Sequence, residues 1–216
     1  MSAPLIEMRG VSYCTPTNRH VLDGLDFSIF DGEKIALTGS NGAGKSTLLH
    51  IMVGLLKADT GVISAFGKDR MREADFHEVR CRAGLCFQVA EHQLFCPTVA
   101  EDVGFGPLNL GKSHKETRQI TQEVLTKLGL EGYEARITHH LSGGEKRLVA
   151  LASVLAMSPD VLLLDEPTAG LDDSAEQRLI DVLNQLPQAK LIVSHDDVFL
   201  QAVTDKSLRL ARGQLT

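Results

Sequence analysis

One run, Gly39-Ser40-Asn41-Gly42-Ala43-Gly44-Lys45-Ser46-Thr47, carries the strongest chemical signal in the chain. A glycine, four residues and then Gly-Lys-Ser is the spacing of a phosphate-binding loop. Its glycines let the backbone curl until successive N–H groups face phosphate oxygens, and the helix that follows adds the positive end of its dipole. Lys45 supplies a compact cation for β- and γ-phosphates, and the Ser46 hydroxyl can ligate Mg²⁺. Asn41, Gly42, Gly44 and Thr47 belong to the same cradle. Further on, Asp165-Glu166 follows the aliphatic run Val161-Leu162-Leu163-Leu164. Two carboxylates at the carboxyl edge of a buried parallel strand sit where ligands bind in open α/β sheets. Asp165 suits a Mg²⁺ shell, and Glu166 suits polarising a water. His195 ends a similar run, Leu191-Ile192-Val193-Ser194, and can donate a hydrogen bond to a phosphate oxygen there. Finally, Ser142-Gly143-Gly144 reads as a second helix start that an anion can approach, with Ser142 as N-cap.

These groups need strands and helices to hold them. Ile35-Ala36-Leu37 reads as a short buried strand before the loop, and Leu48 to Val53 as the helix after it. Leu5 to Tyr13 and Val21 to Phe30 read as an antiparallel pair around the turn Thr15-Pro16-Thr17-Asn18. Tyr13 suits stacking on an adenine ring, and equally suits an ordinary half-buried strand position. Val62-Ile63-Ser64 is another short strand, and a polar stretch runs from Lys68 to Glu78. Ala83 to Phe87 reads as a strand ending at Gln88. From about residue 90 to 157 the pattern is helical, with no strand. Thr98 caps one turn, and Ser113 opens a helix with Ile120, Val124, Leu125 and Leu128 on one face, closed by Gly129. Another helix runs from Ser142 to about Met157. The unbroken apolar run before Asp165 marks a central parallel strand covered on both faces.

At 216 residues and 43% apolar, the chain has ample material for a core. Its net charge of −6 argues against non-specific nucleic-acid binding. The opening residues lack a secretory pattern, and no apolar run has the length of a bilayer span. A membrane role is therefore expected to come through a partner. Cys14, Cys81, Cys86 and Cys96 form no Cys-x-x-Cys pair and read as reduced thiols. His139-His140 points two ways on any regular element, so no structural metal site is expected.

Together these motifs resemble the ATP-binding cassette (ABC) ATPases, over essentially the whole chain. In that family Gly39 to Thr47 is the Walker A loop, Val161 to Glu166 Walker B, and Leu141 to Glu145 the signature motif. Gln88 matches the Q-loop, Ala169-Gly170-Leu171-Asp172 the D-loop, His195 the switch histidine and Tyr13 the adenine-stacking aromatic. The resemblance implies an α/β fold: a P-loop NTPase (RecA-like), mostly parallel sheet core with an N-terminal antiparallel β part and an inserted helical subdomain. The core would be residues 1–88 and 158–216, and the helical subdomain residues 89–157. ATP and Mg²⁺ are the implied cofactors. Ser46, Gln88 and Asp165 would hold the metal, and Glu166, His195 and Gln88 would be catalytic. Tyr13, Asn41, Gly42, Gly44, Lys45, Ser46 and Thr47 would bind nucleotide, and Ser142, Gly143 and Gly144 would cover the nucleotide of a second ATPase subunit, identical or a paralogue.

A narrower resemblance runs from Phe87 to Gly111 and through Ser142 to Arg147. It is similar to energy-coupling-factor transporters, especially their cobalt and nickel importers. An integral membrane subunit is then expected to dock near residues 88–111, where Leu94, Phe95, Val99 and Phe105 suit an amphipathic helix. The protein would sit peripherally on the cytoplasmic face of the membrane. Leu148 and Glu145 depart from the family's commoner arginine and glutamine. The chain also lacks the C-terminal dimerisation extension of many energy-coupling relatives, so a weak dimer without ATP is expected. The alternatives are a soluble cassette acting on DNA or ribosomes, which the single cassette and acidic balance weigh against, and a transporter ATPase for another small solute. A non-hydrolysing binding module is disfavoured by intact Lys45, Asp165, Glu166 and His195.

Overall fold

A computed structural model describes residues 3–216. Their contacts define two compact units. The first contains the chain up to Leu85 together with Asp160–Asp165 and Gln188–Thr216, and the second Cys86–Pro159 with Glu166–Pro187. The sequence expectation places residues 158–216 wholly in the core. By contacts, Glu166–Pro187 groups with the helical unit instead.

The first unit holds two sheets. Strands β1 (Ile6–Cys14) and β2 (His20–Ile29) pair antiparallel, with Ile6 opposite Ile29 and Tyr13 opposite Leu22. β4 (Thr60–Ala65) and β5 (Lys68–Arg70) complete a sheet in the order β2-β1-β4-β5. Leu25, Phe27 and Ile29 alternate inward along β2, the pattern of an antiparallel strand with one wet face. The second sheet contains β3 (Lys34–Thr38), β6 (Ala83–Cys86), β7 (Val161–Asp165), β8 (Ala189–Val193), β9 (Lys206–Ala211) and β10 (Gln214–Leu215). Its order is β10-β9-β3-β8-β7-β6. β3 runs parallel to β8 and β9, and β7 runs parallel to β8. Every residue of β7 and β8 is buried, which is why their sequences read as apolar runs rather than alternating ones. Asp23 N–H donates to the Gly213 carbonyl at 3.0 Å and ties the two sheets together.

Helix α1 (Lys45–Met52) follows β3 through the loop, and α7 (Asp197–Val203) follows β8. Helix α2 (Phe76–Arg82) begins in the stretch that reads from sequence as merely polar, Lys68 to Glu78, and runs past its end. Only Phe76 and Val79 of α2 reach the core, so its apolar stripe is too thin to stand out. Buried Arg70 organises this corner, donating to Ala65 O at 2.8 Å, Asp75 O at 2.9 Å and Glu78 at 3.0 Å.

The second unit is helical: α3 (Val99–Asn109), α4 (His114–Lys127), α5 (Gly143–Leu155) and α6 (Asp173–Gln185). Capping boxes open three of these helices, at Thr98–Glu101, Ser113–Glu116 and Ser142–Glu145. α4 buries Thr117 and Thr121 beside Val124 and Leu125, while Ile120 is only half-buried. A Cβ on Gly104 of α3 would stand 3.0 Å from the Thr117 methyl, so a small residue there lets α3 and α4 approach closely.

Candidate nucleotide site

Three parallel strands end level in the first unit. Leu37 of β3 lies opposite Val193 of β8, and Val193 lies opposite Asp165 of β7. The glycine loop begins one residue past β3, and His195 stands just past β8. Lys45, Asp165 and His195, far apart in sequence, are thus delivered to one edge of the sheet, where an open α/β fold takes its ligand.

Gly44 sits at φ 107°, and a Cβ there would meet the Val21 side chain at 2.6 Å, so both conformation and space call for glycine. Lys45 is buried, with its ammonium on the Gly39 carbonyl at 2.8 Å and the Ser40 carbonyl at 3.2 Å. A buried cation held only by neutral carbonyls, inside a glycine cradle at a helix start, fits a polyphosphate. Asp165 is buried at the same edge, an anion whose charge suits a metal cation. His50 on α1 feels that charge, but burial dominates and pushes its imidazole below the usual value.

The β1–β2 hairpin reaches the same loop. Tyr13 is half-buried against the core. Beyond it, Asn18 N–H donates to Thr15 O at 2.9 Å, and Thr15 N–H donates to Arg19 O at 2.9 Å. That turn aims the Arg19 guanidinium at the Gly42 carbonyl, 2.8 Å away. No sequence pattern announces this contact between residues 23 positions apart.

Asn41, Ser46 and Thr47 lie with the loop in the first unit, whereas Gln88, Ser142, Gly143, Gly144 and Glu166 lie in the second. Glu166 has φ 50° and precedes Pro167, a combination that strains a non-glycine residue. Its carbonyl accepts from Arg147, whose other terminal nitrogen donates to the Gln88 carbonyl at 2.9 Å. Arg147 therefore joins the backbones of Gln88 and of Glu166, a link the sequence does not reveal. Leu148 beside it is buried, so the leucine in place of an arginine serves packing. Asp172 caps α6 by accepting from Ala175 N–H at 2.8 Å.

At the head of α5, Ser142 Oγ accepts the Glu145 N–H at 3.2 Å, and Ser142 N–H donates to Glu145 at 2.8 Å. The Tyr133 hydroxyl donates to the same carboxylate at 2.6 Å and Arg136 at 3.2 Å. The Tyr133 hydroxyl, then the Ser142 N–H, holds the Glu145 carboxyl below the usual carboxylate range, and Glu145 in turn pushes the Tyr133 phenol up. Neither Tyr133 nor Arg136 belongs to a recognisable motif.

Phe95 ahead of α3 and Phe105 within it remain 63% and 45% exposed and meet edge to face, 4.8 Å between centroids. Leu108 and Leu110 are exposed nearby in sequence, whereas Leu94 and Val99 are buried. Buried Asp102 holds the phenylalanine segment in place by accepting from the N–H groups of Phe95 and Cys96 at 3.1 and 3.2 Å.

The ABC transporter family model matches residues 22–169. A protein of Brucella suis biovar 1, provisionally named an ABC transporter ATP-binding protein, is 50% identical over 98% of this chain and 88% of its own length. The energy-coupling factor transporter ATP-binding protein EcfA2 of Methanospirillum hungatei is 41% identical over 98% of this chain and 54% of its own. Among solved structures, cbiO1 from Clostridium perfringens, described as part of the ABC transporter complex cbiONQ, superposes with a TM-score of 0.85. It is 32% identical and covers 100% of this chain and 88% of its own. The chain therefore belongs to the ABC transporter family: it is an ABC ATPase, most like the ATP-binding subunits of energy-coupling-factor transporters.

Proposed function

We propose that this chain is the ATP-hydrolysing subunit of an energy-coupling-factor-type importer for cobalt or nickel ions. The observation that carries the transport reading is the exposed Phe95–Phe105 pair, set in the segment whose sequence resembles those importers. No helix among the described residues is long and apolar enough to cross a membrane, so transport requires a membrane-embedded partner. An amphipathic helix of that partner docks on Phe95, Phe105 and Leu108, and places the subunit peripherally on the cytoplasmic face.

The nucleotide chemistry follows from the residues in hand. The Gly39–Thr47 cradle orients the phosphates, and Lys45 moves from its loop carbonyls onto them. Tyr13 supports the adenine. Ser46, Asp165 and Gln88 are the groups that would hold Mg²⁺, which when bound offsets charge on the β- and γ-oxygens. Glu166 accepts the proton of the attacking water, and His195 donates to a γ-phosphate oxygen. The nucleotide held by one subunit is covered by Ser142–Gly144 of a second, identical or a paralogue. The γ-phosphate thus closes a dimer that hydrolysis opens.

The test is extraction of the tagged protein from membranes in mild detergent, paired with uptake of labelled cobalt and nickel by cells. The reading expects small multispanning proteins to co-purify, their recovery to fall with Phe95→Ser/Phe105→Ser, and uptake to drop when Lys45→Ala replaces the wild type. Recovery with ribosomes or DNA would overturn the transport reading. Unchanged uptake of both metals would overturn the substrate.

A further inference from the structure

We propose that Tyr133 and Arg136 are positioning residues for the signature helix: they grip the Glu145 carboxylate and offset its charge, so that a phosphate can approach Ser142 and Gly143. This rests on the reading that Ser142–Gly144 meets the γ-phosphate held by a second subunit. A helix start attracts anions, but a carboxylate in its first turn repels a phosphate arriving at the same N–H groups. Here both carboxylate oxygens are engaged. One accepts Ser142 N–H at 2.8 Å, and the other accepts the Tyr133 hydroxyl at 2.6 Å and Arg136 at 3.2 Å. The guanidinium carbon lies 3.6 Å from the Tyr133 ring centroid, so the arginine is itself stacked in place.

The chain supplies its own controls. α3 and α4 open with the same kind of capping box, and there Glu101 and Glu116 accept hydrogen bonds only from their own Thr98 and Ser113. A capping box therefore needs neither a phenol nor a guanidinium. Among the described capping glutamates of α-helices, only the one expected to stand beside a nucleotide is gripped by both.

The experiment compares turnover at saturating MgATP and binding of a fluorescent ATP analogue in Tyr133→Phe/Arg136→Gln, with and without Glu145→Gln. Tyr133→Phe/Arg136→Gln is expected to lose about tenfold or more in turnover, while the subunit's own nucleotide affinity stays within about twofold. Adding Glu145→Gln, which removes the charge that no longer has a counter-ion, restores turnover to within about threefold of Glu145→Gln alone. A purely structural role would not be rescued by a third change in the same cluster. Absence of rescue, or full turnover in the starting pair, overturns the proposal. Gly143→Asp separates this from its parent reading. No atom lies within 4 Å of a Cβ there, so the variant folds while placing an ungripped carboxylate at the helix start. Wild-type turnover in Gly143→Asp would sink the reading that this helix meets a nucleotide. Its loss, with the Tyr133/Arg136 variants unaffected, would sink the grip alone.

Discussion

On the proposed reading, Arg19 and Glu166 divide the work of binding and chemistry. The Arg19 guanidinium fastens the tip of the phosphate loop through Gly42 O, on the same hairpin that carries Tyr13. Arg19→Ala is expected to weaken ATP and ADP alike by about three- to tenfold, with turnover at saturation unchanged. Titration with a fluorescent nucleotide checks this, and an unaltered affinity would remove Arg19 from the site. Glu166 is held in a strained backbone conformation before Pro167, with its carbonyl fixed by Arg147. Such strain, about 1–3 kcal/mol, persists where surrounding contacts over-determine it and is concentrated at functional positions. Glu166→Gln keeps the shape and removes the proposed proton acceptor. Turnover is expected to fall by about a hundredfold or more while ATP binding survives. Single-turnover hydrolysis measures it, and wild-type chemistry would exclude Glu166 as the base.

Each element sets a charge in the environment that gives it meaning. Strand β8 carries Lys190, fully buried, its ammonium donating to Gln188 O at 3.0 Å. Burial first, then the neighbouring Lys34, pushes its pKa from 10.5 down to about 8. Between those values the unfolded chain holds a proton that the folded chain has released, so stability rises with pH. Relative to Lys190→Met, the wild type is expected to gain about 1–3 kcal/mol between about pH 7.5 and 10. Urea unfolding across that range checks it, and a constant difference would contradict it. β8 also shows what was legible in the sequence. Leu191 to Ser194 announced a covered strand, and Ser142, Ser113 and Thr98 announced helix starts, because periodicity and caps are local signals. Arg19, Tyr133, Arg136 and Arg147 were not legible, since their partners lie in other elements. The short helix of Phe76–Arg82 hid among charges, and no local feature assigns Glu166–Pro187 to the helical unit.

The whole molecule carries two anion-ready helix starts, one after the glycine loop and one at Ser142, placed in separate compact units. On the proposed reading a chain does not complete its own site: its loop waits for the Ser142–Gly144 start of a second copy or paralogue. Hydrolysis is then a property of pairs, and ATP is the ligand that favours pairing. The most direct measurement is turnover per molecule as the purified protein is diluted at saturating MgATP from about micromolar to about nanomolar. The account predicts a rate that falls toward zero as pairs dissociate, with recovery on reconcentration. A rate per molecule that stays constant down to the most dilute sample would contradict it.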